Sequence, residues 1–340
     1  MRSLPILALC TLFTSLAACS SSVDDGAASQ EAAQIADTQS IVQRPDGLFD
    51  VVCLDGRREV ANQDEILANT VCAPTSGSSV RAIALSGGDG HACALGSDAR
   101  VTCWGSDLYG QTEVPANLKA KAVAAGGIFS CAIRLDGSIT CWGGGSVGQL
   151  DAPAGRFTTL TAGGAFACAI RESGELACWG YDGVEQTNAP PGRFTAVDAR
   201  QLHACARSEQ GRIECWGDEL VDIPALAGSF VDHAVATVGT CGLTREQAIS
   251  CVAAPGYTLA QQVPAGRFSK IAGGAAHACA LASDGRIECW GGNNGLGELD
   301  VPAGRFADLT TGLQFSCGLR ASGKVVCWGS IGNMPTPFPE

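Results

Sequence analysis

Basic side chains are scarce in this sequence. Its 340 residues include 22 Lys and Arg against 34 Asp and Glu, which gives a formal net charge of −12 at pH 7. A protein that binds nucleic acid needs a basic surface to meet the phosphate backbone. We therefore expect no nucleic-acid partner.

Recognisable catalytic machinery is also missing. We identify no nucleophile elbow, phosphate-binding loop or metal motif. There are four histidines, and the cysteines do not form the close Cys-x-x-Cys pairs that zinc favours. We predict a protein that is not an enzyme and that has no cofactor and no metal site.

Long apolar runs and helical periodicity are absent as well. Beyond its first residues the chain has no apolar stretch of the roughly 20 residues that a transmembrane helix needs. It contains 44 Gly, and no apolar stripe with a 3.6-residue period survives the glycine pairs. A helical repeat protein is therefore not expected.

The N-terminus has the features of an export signal. Met1-Arg2 precede an apolar stretch, residues 4–16, that is too short to span a bilayer comfortably. The tetrad Leu16-Ala17-Ala18-Cys19 resembles the bacterial lipobox, in which the cysteine receives lipid. We predict a signal peptide at residues 1–18 and lipidation, for example by palmitate, of Cys19. The alternative is an ordinary signal cleaved near Ala18, with Cys19 as a spare thiol.

Lipid on Cys19 would be the membrane anchor of a cell-envelope protein. Ser20, in place of Asp, favours the outer membrane in the lipoproteins that the chain resembles, with the body facing the periplasm or the outside. Residues 19–46 are rich in Ser, Ala, Asp and Gln, which predicts a flexible tether. Residues 47–79 are interpreted as a cap or closing segment.

A repeat of about 37 residues fills residues 80–340. Cys-Trp-Gly occurs six times, and another cysteine stands ten positions before each one. A seventh pair, Cys241 and Cys251, keeps this spacing without the Trp. Such a fixed period indicates a repeat architecture in which each unit is one small motif.

One unit illustrates the expected strands. Residues 267–272, 277–281 and 286–290 have strand-like patterns, and a Ser-Asp-Gly turn separates the last two. We expect residues 299–302 to add a short outer strand. Short antiparallel strands at this period predict an all-β fold, a seven-bladed β-propeller. A parallel β-helix is the alternative, although its usual repeats are shorter.

The repeated residues resemble a known family. The pattern Ala-Gly-Gly, His-x-Cys-Ala-Leu, Asp-Gly-Arg, Cys-Trp-Gly, Gly-Gln and Val-Pro is similar to the regulator of chromosome condensation repeat. The resemblance covers about residues 80–340 and implies a seven-bladed propeller. The period is closer to short bacterial members, which include a secreted inhibitor of β-lactamase, than to the eukaryotic founder. The shared residues are those that build blades, so they imply the fold more specifically than the function.

The cysteines predict one hairpin disulfide in each blade. Without Cys10 and Cys19, sixteen of the 18 cysteines remain, and exported proteins normally oxidise theirs. A three-residue hairpin loop would place the two cysteines of a unit opposite each other, about 4.5–5.5 Å apart at Cα. A two-residue loop would shift this register by one. The predicted pairs are Cys53–Cys72, Cys93–Cys103, Cys131–Cys141, Cys168–Cys178, Cys205–Cys215, Cys241–Cys251, Cys279–Cys289 and Cys317–Cys327.

Two repeated positions predict packing rather than chemistry. The Trp after the second cysteine is interpreted as a residue that packs between blades, with an aromatic ligand cage as the alternative. The position two before the first cysteine holds His in three units and Phe in three others, so we expect it to fill space. His233 lies outside this pattern and is predicted to be a surface residue.

The loops after Cys-Trp-Gly are candidates for binding. They vary in sequence while the blades do not, and they contain all three tyrosines. Equivalent loops emerge on one face of a propeller, and repeat proteins commonly bind there. Simple polar turns are the alternative. The candidate residues are Tyr109, Tyr181, Asp182, Asp218, Tyr257, Asn293 and Asn294.

These features predict a non-catalytic binding scaffold anchored in the cell envelope, which takes part in a protein–protein interaction or binds another protein as an inhibitor does. The loops differ from blade to blade, which favours one large partner over seven equal sites. A glycan-binding propeller lectin is the alternative. Guanine nucleotide exchange, implied only by the family, is less favoured because an exported protein would not meet a cytosolic GTPase.

Overall fold

The computed structural model describes residues 80–217, 224–292 and 294–330, together with the backbone of strands 38–43, 49–53 and 58–61. The chain divides into two units, Met1–Ser78 and Ser79–Glu340. The strands of the first unit form one antiparallel sheet: β1 (Thr38–Gln43), β2 (Phe49–Cys53) and β3 (Arg58–Ala61). Strand β1 falls within the segment that the composition predicts to be a tether.

The second unit is a seven-bladed β-propeller, which confirms the predicted all-β fold. Each blade is an antiparallel sheet of three consecutive strands, and its described residues contain no helix. The blades are β4–β6 (Ala82–Gly87, His91–Gly96, Val101–Gly105), β7–β9 (Ala120–Ala125, Phe129–Arg134, Ile139–Gly143), β10–β12 (Phe157–Ala162, Phe166–Arg171, Leu176–Gly180), β13–β15 (Phe194–Arg200, His203–Ser208, Ile213–Gly217), β16–β18 (Asp232–Ala236, Gly239–Leu243, Ile249–Ala253), β19–β21 (Phe268–Gly273, His277–Ala282, Ile287–Gly291) and β22–β24 (Asp308–Thr311, Phe315–Leu319, Val325–Gly329). A membrane-spanning helix is not found among the described residues.

Among the described residues each blade has three strands and not four. Residues 299–302, expected to form an outer strand, lie in turn and irregular structure. The N–H of Leu299 donates to the Asn294 side chain at 2.9 Å, and the N–H of Val301 donates to the Leu299 oxygen at 2.9 Å. Because these local bonds satisfy the backbone donors and Pro302 has none, the segment does not pair with the sheet.

A three-residue loop joins the second and third strands of a blade. In the third blade, Cys168 lies directly opposite Cys178, and the N–H of Arg171 donates to the oxygen of Glu175 at 2.9 Å. Gly174 in the loop has a φ of +90°, which glycine adopts without steric cost. The register that places the cysteines opposite each other is therefore confirmed.

One disulfide crosses this hairpin in every blade. The sulfur atoms of the seven pairs lie 2.03–2.07 Å apart, which confirms the prediction of one disulfide per blade. The Cα atoms are 4.0–4.1 Å apart, closer than expected. Cys72 and the side chain of Cys53, predicted to form an eighth pair, lie outside the described residues.

The first strands of the blades line the centre of the ring. Each contacts the first strand of the next blade, and β22 contacts β4, so the ring is closed. The closure includes a hydrogen bond from the N–H of Leu313 to the oxygen of Gly88 (3.1 Å) and one from the N–H of Gly87 to Oγ1 of Thr310 (2.9 Å). Each propeller sheet contains strands of one repeat only, so in the described part of the chain non-covalent contacts join the last blade to the first.

The tryptophans join neighbouring blades, as predicted. Trp179 of the third blade is buried in one cluster with Phe129 of the second. Its indole N–H donates to the backbone oxygen of Gln149, which lies in the loop of the second blade, at 3.0 Å. The same kind of bond is made by Trp142, Trp216, Trp290 and Trp328. Each of these tryptophans therefore packs at the boundary between two blades and donates a hydrogen bond across it.

Candidate binding face

The two ends of the strands form two faces of the propeller. We define the loop face as the end with the loops that follow the third strands, and the hairpin face as the end with the turns between second and third strands. In the third blade the N–H of Tyr181 donates to the oxygen of Ala165 at 2.9 Å, so this loop lies beside the turn between the first two strands. The described loops of the loop face comprise residues 105–114, 143–151, 180–188, 254–262 and 294–300.

Apolar side chains project from these loops. Tyr109 is 56% exposed, Val147 41%, Tyr257 45% and Leu296 48%. Each stands five or six residues after the Trp position of its blade, where the third loop has Val184. We call this set the apolar tips: Tyr109, Val147, Val184, Tyr257 and Leu296. Tyr181 is also exposed, at an earlier position of the third loop.

A buried side chain holds four of the tips in place. In the first three blades a glutamine side-chain oxygen accepts the N–H of the tip residue two positions earlier, at 2.9 Å in each case. These glutamines are Gln111, Gln149 and Gln186. In the sixth blade Glu298 accepts the N–H of Leu296 in the same way, at 3.1 Å. The tips are thus presented by defined loop conformations.

The same buried residues connect the loops to the next blade. The backbone oxygen of Gln149 accepts the indole N–H of Trp179, and that of Glu298 accepts the indole N–H of Trp328, both at 3.0 Å. Tip, buried side chain and neighbouring Trp therefore form one linked unit. The sequence interpretation treated the loops as unlike one another, whereas these share their geometry. A Gln seven residues after three of the tryptophans was the signal that could have shown it.

Two of the predicted binding residues stabilise the loops themselves. The Asp182 carboxylate accepts the N–H of Thr187 at 3.0 Å. The Asn294 side chain accepts the N–H of Leu299 and donates to Asp300, both at 2.9 Å. Short polar side chains commonly hold turns through such bonds. Outside the described residues lie Asp218 and Asn293.

The positions shared by His and Phe are packing sites. His91 is buried, and its Nε2 lies 2.8 Å from Oγ of Ser130 in the next blade. His277 makes the equivalent contact to a serine. Where Phe129 occupies this position, the residue across the boundary is Ala167. The two sides of the boundary therefore match, a polar pair in some blades and an apolar pair in others.

Acid is expected to destabilise the propeller through these histidines. Burial lowers the pKa of His91 and of His277 to about 4, against about 6.5 in an unfolded chain. As the pH falls between these values, the unfolded chain takes up protons that the folded chain does not. The free energy of unfolding should therefore decrease by at most about 3 kcal/mol per histidine. Urea unfolding at neutral pH and near the lower pKa measures this loss.

A matched variant separates the histidine effect from that of the carboxylates. His91→Phe combined with Ser130→Ala rebuilds the Phe129–Ala167 type of pair at the first boundary. We expect this double variant to fold and to lose less stability in acid than the natural chain. Equal acid sensitivity of the two proteins would show that His91 is not responsible.

The prediction that His233 lies on the surface is wrong. Its side chain is buried, and its Nε2 lies 3.0 Å from the backbone oxygen of Cys205 in the preceding blade. It occupies the inner-strand position that Ile271 and Leu309 take in the next two blades. The fifth repeat lacks the glycine pair that marks the end of this strand in the first, second, third and sixth repeats, so the correspondence was hidden in the sequence.

Arg200 was not singled out by the sequence interpretation. The central channel, about 260 Å³, is lined by the first strands of all seven blades. The buried guanidinium of Arg200 donates across it to the backbone oxygens of Thr311 (2.9 Å), Gly87 (3.3 Å) and Gly273. Burial lowers the pKa of this guanidinium, and the carboxylate of Asp198 opposes the shift. The side chain ties the fourth blade to three others; the signal was an Arg where most blades have glycine.

Neither a metal-binding cluster nor a nucleophile elbow is formed by the described residues. They contain no group of three or more His, Cys, Asp or Glu side chains that could hold a metal ion. Residues 144–148 read Gly-Gly-Ser-Val-Gly, which matches the string of a nucleophile elbow. An elbow stands between a strand and a helix, whereas this string lies in the second loop and runs into a turn.

Comparisons with known proteins agree with the repeat. The model of the regulator of chromosome condensation (RCC1) repeat matches residues 82–111, 120–149 and 268–297, in the first, second and sixth blades. RCC1 repeats are therefore present in three places. Among curated protein sequences no match is found.

Several solved propellers are similar in structure. The CRINKLY WD40 ectodomain of the Arabidopsis thaliana receptor kinase ACR4 is 23% identical, with a TM-score of 0.63 over 76% of this chain and 99% of that one. The ectodomain of the Physcomitrella patens receptor kinase CR4 is 26% identical, with a TM-score of 0.62 over 74% and 76%. Prp20p from Saccharomyces cerevisiae is 15% identical, with a TM-score of 0.58 over 82% and 86%. These likenesses support the propeller fold, and such a fold suits an interaction scaffold.

Proposed function

We propose that this chain is a non-catalytic binding scaffold of the bacterial cell envelope, anchored by lipid on Cys19, and that its loop face binds another protein. The observation that carries the proposal is the set of apolar tips, four of them held by a buried side chain. Prp20p, whose structure was described with its binding to Gsp1p and histones, supports protein binding by such a propeller.

The tips have the physical properties of a contact surface. Apolar side chains grouped on one face of a soluble protein commonly mark an interaction site. Tyrosines are enriched among the residues that dominate binding energy. Loops that are already ordered lose less conformational entropy when a partner docks. The hydrogen bonds that hold the tips therefore favour binding as well as folding.

Site-specific photo-crosslinking in the full-length, exported protein tests whether the partner binds at the loop face. A photo-crosslinking amino acid at Val147 probes the loop face, and one at Leu135 probes the hairpin face. Leu135 is a matched control because it is also apolar and is 60% exposed. We expect adducts with another protein from Val147 and not from Leu135. Adducts from Leu135 alone, or from neither position, would contradict the proposal, and an adduct sensitive to glycosidases would favour a glycan.

Truncation of the tyrosine tips measures how much their side chains contribute to the binding affinity. Tyr109→Ala and Tyr257→Ala each remove an exposed ring while the backbone stays available for its hydrogen bonds. If these rings are anchors, each change should weaken binding of the cross-linked partner by about 30-fold, or about 2 kcal/mol. Leu135→Ala should leave the affinity unchanged. If both tyrosine variants bound with wild-type affinity, the tyrosine tips would not be part of the binding site.

The anchor is tested separately. A palmitate analogue should label the wild-type chain in growing cells, and Cys19→Ala should abolish the label and release the protein from the membrane fraction. An unlabelled wild-type chain would leave the scaffold exported but without its proposed anchor.

A further inference from the structure

Basic residues are absent from the described loops of the loop face. No Lys or Arg occurs in residues 105–114, 143–151, 180–188, 254–262 or 294–300. The Lys and Arg residues of the propeller lie in the hairpin turns, at the neighbouring strand ends, or in the channel. Charge is therefore segregated between the two faces.

Carboxylates lie beside the apolar tips. Glu113 Oε2 is 3.4 Å from the point where a Cβ would stand on Gly110, the residue after the first tip. Asp151 Oδ2 is 3.6 Å from the equivalent point on Gly148, and Asp300 has the same position in the sixth loop. In the third loop an exposed glutamate, residue 185, directly follows the tip. Apolar and negatively charged groups thus lie side by side in four of the five described loops, and the fifth, residues 254–262, contains no Asp or Glu.

These carboxylates have no cationic partner in the described part of the chain. On the hairpin face, by contrast, Arg156 lies 2.9 Å from Glu172 and Arg286 lies 2.8 Å from Asp284. Like charges on one face repel each other, and a partner with the opposite charge relieves that repulsion and steers association. The loop face is therefore complementary to positive charge, whereas the hairpin face carries basic and acidic side chains together.

We propose that the partner of the loop face is a protein surface that presents Lys or Arg side chains around an apolar contact. The inference rests on the proposed function of this face. The aliphatic stems of Lys and Arg can pack on the apolar tips while their charged ends reach the neighbouring carboxylates. The rings of Tyr109 and Tyr257 also offer faces to a cation. A second copy of this chain fits less well, because its hairpin face also presents the exposed carboxylates Glu175, Glu209 and Glu246, which the loop face would repel.

Charge reversal with equal change in net charge tests the proposal. The loop-face variant carries Glu113→Lys, Asp151→Lys and Glu185→Lys. The control variant carries Glu175→Lys, Glu209→Lys and Glu246→Lys on the hairpin face. The probes are two synthetic peptides of equal length and equal Leu and Tyr content, one with Lys and one with Glu. Their binding to the full-length chain, and their ability to suppress the Val147 cross-link, are measured.

The Lys peptide should bind the wild-type and control proteins at least about tenfold more tightly than the Glu peptide. It should suppress the cross-link and lose affinity in about 0.5 M salt. The loop-face variant should lose at least about tenfold in affinity for the Lys peptide and should also lose the cellular adduct.

Other outcomes would overturn the inference and are distinguishable from a failure of the proposed function. An adduct that persists in the loop-face variant keeps the binding face but refutes the basic partner. Equal loss in both charge variants indicates an unspecific effect of net charge. An adduct that contains a second copy of the chain identifies self-association. No adduct from Val147 in the wild-type chain refutes the proposed function itself.

Discussion

Reduction of the seven hairpin disulfides is expected to unfold the propeller at room temperature. Each disulfide joins cysteines ten residues apart, and closure of so short a loop contributes about 2–3 kcal/mol through the unfolded state. The combined effect is comparable with the whole stability of a typical domain, about 5–15 kcal/mol. Circular dichroism and tryptophan fluorescence, recorded with and without a thiol reductant, measure the loss.

Removal of a single disulfide measures how much one cross-link contributes to stability. Cys168→Ala combined with Cys178→Ala should lower the free energy of unfolding by about 2–3 kcal/mol and leave the other blades folded. Treatment of the oxidised protein with an alkylating agent alone is the control and should change nothing at the paired cysteines. A fully reduced chain with an unchanged melting temperature would show that the blades are stable without their cross-links.

Trp179→Ala should lower the free energy of unfolding by about 3–5 kcal/mol, the largest loss of stability expected from a single substitution. The change leaves a cavity between the second and third blades and leaves the backbone oxygen of Gln149 without its donor. Because Gln149 also holds the tip at Val147, the second loop should become more mobile. Urea unfolding measures the stability, and hydrogen exchange of the loop amides measures the mobility.

The neighbouring aromatic residue is the control for this substitution. Tyr181 lies two residues after Trp179 but is 40% exposed. Tyr181→Ala should change the free energy of unfolding by less than about 0.5 kcal/mol. Similar costs for both substitutions would mean that burial at the blade boundary does not distinguish these two aromatic residues.

Interactions within one repeat could be predicted from the sequence. The turn chemistry of the hairpin and the spacing of Cys168 and Cys178 lie within a few residues of each other, so their register follows from local geometry. The position shared by His91 and Phe129 was also interpretable, because a site that accepts both residues fills space. The outer strand at residues 299–302 was predicted wrongly because side-chain bonds to its backbone were not visible in the pattern.

Interactions between repeats were harder to predict. Arg200 donates to carbonyl oxygens of three other blades, which are distant in sequence. His233 was assigned to the surface because it lies outside the position that His and Phe share in the other repeats. The role of Gln149 depends on two partners, one in its own loop and one in the next blade. Each of these contacts requires the arrangement of the blades around the ring.

The sequence by itself determined the blade and the number of blades. The strands, hairpin turn and disulfide of a blade lie within about 37 residues, so their spacing can be read directly from the sequence of one repeat. Only the tertiary structure decided that the tips of the loops are held by buried side chains and that the ends of the tryptophans are bonded to the loop of the preceding blade. Those properties arise when separate repeats are placed side by side, because the contacts that create them join residues of different blades.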